Sequence, residues 1–124
     1  MGLVDDFAEV LVDQARRQLD EAMRTVDTAR RAGVTMALGY DSGPPGTSAK
    51  ELQRLIEAGL STAEALRAAT LGGAAALGRE DLGRIAVGCR ADVVVVDGRP
   101  DEDAGLLTRP EAIRLVVGRG VAIG

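Results

Sequence analysis

Residues 4–29 carry apolar side chains at steps of three and four. Such steps draw one apolar stripe along a helix, and here they predict an amphipathic helix of about 25 to 30 residues. Its other face is charged, and Asp13 and Arg17 have the spacing of an intrahelical ion pair. Gly33 marks the predicted end of the helix. The stripe consists of Val4, Ala8, Leu11, Ala15, Leu19, Ala22, Val26 and Ala29.

A short apolar run at Val34–Leu38 predicts a buried strand. Residues 39–47 are rich in glycine and proline and predict a loop, with Asp41 just after the strand. A carboxylate in that place is where a βα-barrel displays a catalytic group. Alternatively, Asp41 caps the turn through its side chain, as aspartates before Ser-Gly do. The pattern alone leaves both interpretations open.

Two serine–glutamate pairs have the spacing of a capping box, in which serine and glutamate side chains bond each other's backbone amides. They are Ser48 with Glu51 and Ser61 with Glu64. Each pair predicts the start of a helix, and Gly59 ends the first one. The predicted helices reach residue 58, cover 62–70 and continue as a short turn over 71–77.

After Gly78 the pattern changes to short β-branched runs separated by glycines. The predicted strands are Val93–Val96, Ile113–Val117 and Val121–Ile123, the last two joined by a tight turn. The fold class is therefore mixed α/β. We expect a helix-strand-helix-helix segment over 1–79 and a small glycine-rich β segment over 80–124.

Composition restricts the chemistry of the chain. Its 124 residues correspond to one ordinary domain, and they contain no histidine and one cysteine, Cys89. No Ser-His-Asp or Cys-His nucleophile can form, nor a zinc site of the usual His or His/Cys type. A single cysteine permits no internal disulfide, so we expect a cytoplasmic protein.

Charge and hydropathy argue against two classes of partner. The net charge is −4 and aromatic residues make up 2% of the chain, which disfavours nucleic-acid binding. No apolar run approaches the roughly 20 residues that cross a bilayer, so no membrane partner is expected.

A phosphate-binding loop is the third chemistry to consider. Gly43–Lys50 invites comparison with G-x-x-x-x-G-K-[ST], and Val93–Asp97 with a magnesium-binding strand. However, Ser48 and Ala49 stand before Lys50, so the required glycine is missing. Lys50 is more simply a surface residue in a first helical turn, and a phosphate-binding module is the least supported hypothesis.

Residues 32–124 resemble the C-terminal portion of the metal-dependent amidohydrolase superfamily, in its imidazolonepropionase-like and dipeptidase-like branch. The resembling pieces are 32–43 (last barrel strand and its acidic end), 51–70 (following helices), 74–78 (an AAxxLG motif), Gly83-x-Ile-x-x-Gly-x-x-Ala-Asp92 (entry to a small β-domain) and 113–121 (its closing strands). Each motif is short, but their order and spacing agree. The resemblance implies a partial βα-barrel fold for the first segment.

The resemblance also implies a function. In such enzymes the acid after the last strand binds zinc or another divalent metal and helps to activate water. The water then attacks an amide, cyclic amide or amidine carbon. Asp41 occupies that position here, as the candidate catalytic and metal-binding residue.

Departures from the family limit what the isolated chain can do. Family members carry an H-x-H pair and further histidines, which this chain lacks. A whole barrel takes roughly 250 residues. One carboxylate cannot supply the three or four ligands that zinc needs, so no cofactor is expected for the isolated chain.

Two main hypotheses follow. In the first, the chain is a truncated or split amidohydrolase that gives Asp41 to a complementing barrel-half chain. In the second, it is a non-catalytic remnant that self-associates or serves as a binding or structural module. Both expect association, because the strand at 34–38 needs neighbours. A homo-oligomer is the simplest form, and a monodisperse monomer in sedimentation would contradict it.

Overall fold

The computed structural model describes residues 2–41, 43–44 and 46–124. The helices are α1 (Gly2–Arg31), α2 (Lys50–Glu57), α3 (Thr62–Arg67) and α4 (Gly73–Ala76), with a π-helical turn at Ala68–Gly72 between the last two. The strands are β1 (Val93–Val96), β2 (Ile113–Gly118) and β3 (Val121–Ala122), with 3-10 turns at Ala104–Thr108 and Pro110–Ala112. Ser42 and Pro45 of the predicted loop, and the side chain of Val4, lie outside the described part.

The long first helix is confirmed as α1. The Arg17 guanidinium donates to the Asp13 carboxylate at 2.5 Å, as the spacing predicts. Gly33 takes a left-handed φ of 71° just after the helix, which is its predicted end. The stripe is only partly covered, because Leu11 and Leu19 are 49% and 48% exposed.

The predicted buried strand at Val34–Leu38 is wrong. The structure assigns no strand there, and Val34 is 57% exposed. The physical reason is that a strand needs a neighbouring strand for its backbone groups. Among the described residues, no strand lies beside this run. Met36 and Leu38 are half-buried while Ala37 between them is exposed, an alternation typical of a strand with one covered face.

One capping box is confirmed and the other is wrong. At α3, the Glu64 amide donates to Ser61 Oγ at 3.2 Å, and the Ser61 amide donates to Glu64 Oε2 at 2.7 Å. At α2 the N-cap is Ala49, without a side-chain hydrogen bond. Turns through Thr47 and Ser48 lead directly into α2, so Ser48 does not stand at the helix boundary.

The Ser61–Glu64 box predicts a pH effect. The pKa of Glu64 is lowered, first by the Ser61 amide, then by the Ser61 side chain and the Arg30 guanidinium. A lowered folded-state pKa stabilises the fold above the unfolded value of about 4.3. That stability is lost as pH falls through the lower folded value. We expect Glu64→Gln to flatten the acid side of a melting-temperature profile.

Glu51→Gln is the matched control for this experiment, because Glu51 follows a serine at the same spacing but forms no capping box. It should leave the acid side of the profile as in the unmodified chain. Equal slopes for the unmodified chain and Glu64→Gln would contradict the assignment.

The β part follows the sequence prediction closely. The strands form one antiparallel sheet in the order β1-β2-β3, with Val94 opposite Val116 and Val117 opposite Ala122. A bulge interrupts the β1–β2 register at Val95/Val96. The mixed helix-and-sheet content is confirmed, whereas the division at 79/80 stays a prediction, with α2 contacting the turn at Ala104–Thr108 across it.

The buried core consists of small side chains. Its members are Leu52, Ala58, Leu60, Ala65, Ala68, Ala74, Ala104 and Ala112. The accessible surface is 9032 Å² for a mass of 12.8 kDa. A compact monomer of that mass exposes about 6,300 Å², so about 2,700 Å² is in excess. The described fold leaves unusually much of its surface uncovered.

Candidate functional site

The candidate site is centred on Asp41, at the end of residues 34–41, which we call the Asp41 segment. Asp41 is exposed, and it precedes the loop that leads to α2. The segment runs past the π-helical turn, where the Leu38 amide donates to the Ala68 carbonyl at 3.1 Å. Among described partners, no other amide of residues 35–41 donates to a backbone carbonyl. The segment therefore keeps most of its backbone groups available.

The loop after Asp41 is held by its neighbours. The Thr47 hydroxyl donates to the Pro44 carbonyl at 2.7 Å, and the Tyr40 hydroxyl lies 2.7 Å from Thr47 Oγ1. Gly43 lies against the Tyr40 ring, with a φ of 134°. Within the described part of this loop, Asp41 makes no side-chain hydrogen bond, so the turn-cap interpretation of Asp41 gains no support.

The donor groups around Asp41 do not by themselves fit a metal ion. Among the described residues, no three His, Cys, Asp or Glu side chains cluster closely enough to hold one. Zinc takes three or four protein ligands at a structural or catalytic site. Asp41 is therefore at most one ligand of a site whose other members lie outside these residues.

The acids of the β part have structural partners. Asp92 accepts hydrogen bonds from the Arg119 amide at 2.8 Å and from the Arg90 guanidinium. These two contacts, the amide first, lower the pKa of Asp92. The amide bond fixes the β2–β3 turn, where Arg119 has a φ of 52°. The prediction that Asp92 bonds a loop amide is confirmed.

The phosphate-loop hypothesis gains nothing from the structure. Lys50 is the first residue of α2, as expected for a surface residue in a first helical turn. The Asp97 carboxylate accepts hydrogen bonds from the Arg114 guanidinium across the sheet. It is therefore engaged with a cation of its own chain.

A cleft of about 400 Å³ lies between the end of α1, the Asp41 segment and α3. Its polar lining is Arg30, Glu64 and Arg67, and Arg30 Nη1 lies 3.7 Å from Glu64 Oε1. Met36 and Gly72 lie on its apolar side. Sequence reasoning did not single out this cleft, whose residues come from three separate elements.

Two glycines at this site were also missed as site residues. Gly72 lies directly against the Met36 carbonyl, and Gly83 against the Thr70 carbonyl. The available signal was the pair Gly72-Gly73 inside a helical pattern, since glycine there costs stability and has a packing reason when retained.

Comparison with known proteins identifies the family. The model of the amidohydrolase family matches residues 5–123. The chain belongs to the amidohydrolase family. This confirms the resemblance stated above.

Individual amidohydrolase relatives agree with that assignment. The chain is 35% identical to ochratoxinase of Aspergillus niger over 97 residues, covering 76% of this chain and 20% of that one. It is 40% identical to imidazolonepropionase of Salinispora tropica over 87 residues, covering 66% and 21%. The chain thus spans about a fifth of the length of these curated relatives.

Solved amidohydrolase structures contain the same fold unit. The A. niger ochratoxinase structure matches 83% of this chain with a TM-score of 0.77 and 33% identity. A Xaa-Pro dipeptidase with bound methionine in the active site matches 82%, with a TM-score of 0.73 and 33% identity. The matches cover 24% and 25% of those chains. None of the helices in the described residues is long and apolar enough to span a membrane.

Proposed function

We propose that this chain supplies one side of the active site of a hydrolase that cleaves C–N bonds in amides, cyclic amides or amidines. The observation that carries the proposal is Asp41, exposed at the end of a segment with mostly unpaired backbone, in an amidohydrolase-family unit. The relatives named ochratoxinase, imidazolonepropionase and Xaa-Pro dipeptidase support a hydrolase.

Asp41 is proposed to act on the attacking water. Its carboxylate takes one proton as the water oxygen bonds to the substrate carbon, and the C–N bond breaks as the leaving nitrogen gains a proton. The family relation implies a divalent metal, zinc or another, at such a site. Because the described donor set does not hold one, the remaining ligands have to come from other residues.

The proposed partner is the remainder of an amidohydrolase barrel, either in a longer chain or as a separate polypeptide. Two observations support it. The Asp41 segment alternates half-buried and exposed side chains as a strand does, yet among the described residues it has no neighbouring strand. The excess surface of about 2,700 Å² matches what extensive, permanent interfaces bury.

A non-catalytic homo-oligomer is the second candidate function. The same exposed apolar side chains favour it, among them Leu11, Leu19 and Val34. A second copy would cover apolar surface but would add no histidine, since the chain has none. Both proposals place the protein in the cytoplasm, for which the lone Cys89 is the support.

Complementation separates the two candidates. The chain is co-expressed with a polypeptide corresponding to the rest of an imidazolonepropionase or dipeptidase relative. Hydrolysis is assayed with amide, dipeptide and cyclic amide substrates, with each polypeptide alone as control. Activity in the pair and in neither part supports the proposed function. A stable, inactive homo-oligomer that ignores the second polypeptide contradicts it and supports the remnant.

A further inference from the structure

The π-helical turn at Ala68–Gly72 is the support on which the Asp41 segment rests. In this turn the Gly73 amide bonds back to the Ala68 carbonyl, five residues earlier. The same carbonyl accepts the Leu38 amide at 3.1 Å. The wider π-turn thus lets one carbonyl bond its own helix and the segment together. Single π-turns within α-helices occur frequently at functional sites.

Gly72 makes the closest approach of the segment possible. A Cβ atom on Gly72 would lie 1.9 Å from the Met36 carbonyl oxygen and 3.0 Å from the Met36 carbonyl carbon. Both are backbone atoms, so no side-chain rotation relieves the contact. Any other residue at position 72 therefore has to displace the segment or the helix.

A second glycine fixes the other contact of the turn. A Cβ atom on Gly83 would lie 2.6 Å from the Thr70 carbonyl oxygen. The chain leading into the β part thus packs on the same π-turn that supports the Asp41 segment. Asp92 lines a cleft with Leu38, Thr70 and Gly83, which brings the two packed segments together.

We infer that Gly72 is a positioning residue for Asp41, because its missing side chain lets the Met36 backbone seat on the π-turn and so sets where Asp41 stands. The role in catalysis rests on the proposed function, whereas the contact itself does not. Three residues separate the Leu38–Ala68 hydrogen bond from Asp41. A shift of the seat therefore displaces the carboxylate from a reacting water, which needs a hydrogen-bond distance of about 3 Å.

Gly72→Ala and Gly73→Ala form a matched pair for the test. Both add one methyl to neighbouring glycines of the same helix, but the nearest atom to a Gly73 Cβ is the Ala68 oxygen at 4.0 Å. In NMR spectra of the full chain, Gly72→Ala should shift the signals of residues 36–41 and speed Leu38 amide exchange about fivefold or more, as expected for one lost hydrogen bond. Gly73→Ala should leave both as in the unmodified chain. Equal effects of the two variants would overturn the inference.

A measurement on the unmodified chain covers the case in which Gly72→Ala does not fold. The Leu38 amide should exchange more slowly than the neighbouring Ala37 amide and show a scalar coupling to the Ala68 carbonyl carbon. An unprotected Leu38 amide without that coupling overturns the seat, whatever the outcome of any activity assay.

The catalytic part of the inference is read in the complemented enzyme. Gly72→Ala should lower kcat with little change in KM and shift the pH profile of kcat, whereas Gly73→Ala should change neither. An unchanged kcat and pH profile in a Gly72→Ala variant that has lost the Leu38 contact overturns the positioning role. If the unmodified pair is inactive, the proposed function fails and with it this catalytic role, while the contact is decided by the NMR result alone.

Discussion

Replacing Asp41 with asparagine is expected to lower kcat of the complemented hydrolase about 10²- to 10⁴-fold, the range that a positioned proton acceptor contributes. Asparagine keeps the shape of the side chain but cannot take a proton from water. Because Asp41 is exposed and makes no hydrogen bond within the described part of its loop, the fold should tolerate the change. Steady-state kinetics and a thermal melt on the same preparation measure the two effects.

Asp101→Asn is the control for this prediction. Asp101 is an exposed acid in a turn of the β part, paired with Arg99 at 2.7 Å. It should leave kcat within the error of the assay. Full activity of the Asp41→Asn variant would contradict the assignment of Asp41, and it would reduce this residue to a part of the loop.

Leu52→Ala should lower the free energy of unfolding by about 2–5 kcal/mol, as other deletions of buried leucines do. Leu52 is 4% exposed on α2, and the rest of the buried core is one leucine and six alanines. Few large side chains are available to close the space that the change leaves. The effect is a large share of the 5–15 kcal/mol that usually stabilises a domain. Chemical denaturation of the full chain measures it.

Leu77→Ala is the matched control, because Leu77 is 72% exposed. It should change the free energy of unfolding by less than about 0.5 kcal/mol. Similar losses for the two leucines would show that the packing around Leu52 is not the core of the folded chain.

Local patterns predicted the elements that local contacts stabilise. The Ser61–Glu64 box and the hairpin of β2 and β3 need partners within a few residues, and both were correctly predicted. Ser48 with Glu51 has the same spacing, but the preceding turns carry the chain past Ser48 into α2. Spacing alone does not show where a helix boundary lies.

The run at Val34–Leu38 shows the limit of patterns that depend on distant partners. Its apolar residues predict a buried strand, but strand bonds need neighbouring chain. The described structure offers this run a π-turn, which bonds a single amide, that of Leu38. The alternating burial of Met36, Ala37 and Leu38 survives, so the side-chain pattern was informative even where the strand assignment was wrong.

The candidate site was predictable in part for the same reason. Asp41 stands out in the sequence as an acid that follows an apolar run. Gly72 and Gly83 carry no functional group, and their contacts with Met36 and Thr70 exist only in three dimensions. Sequence reasoning finds residues by their chemistry, whereas these two act through the absence of a side chain.

Native mass spectrometry tests most directly whether the chain is one part of a larger hydrolase. The chain is measured alone and after co-expression with the remaining part of an amidohydrolase relative, each with added zinc. The account predicts a one-to-one complex that retains stoichiometric metal, and no stoichiometric metal on the chain alone. A chain that holds metal by itself, or that forms no complex with the second polypeptide, would contradict it.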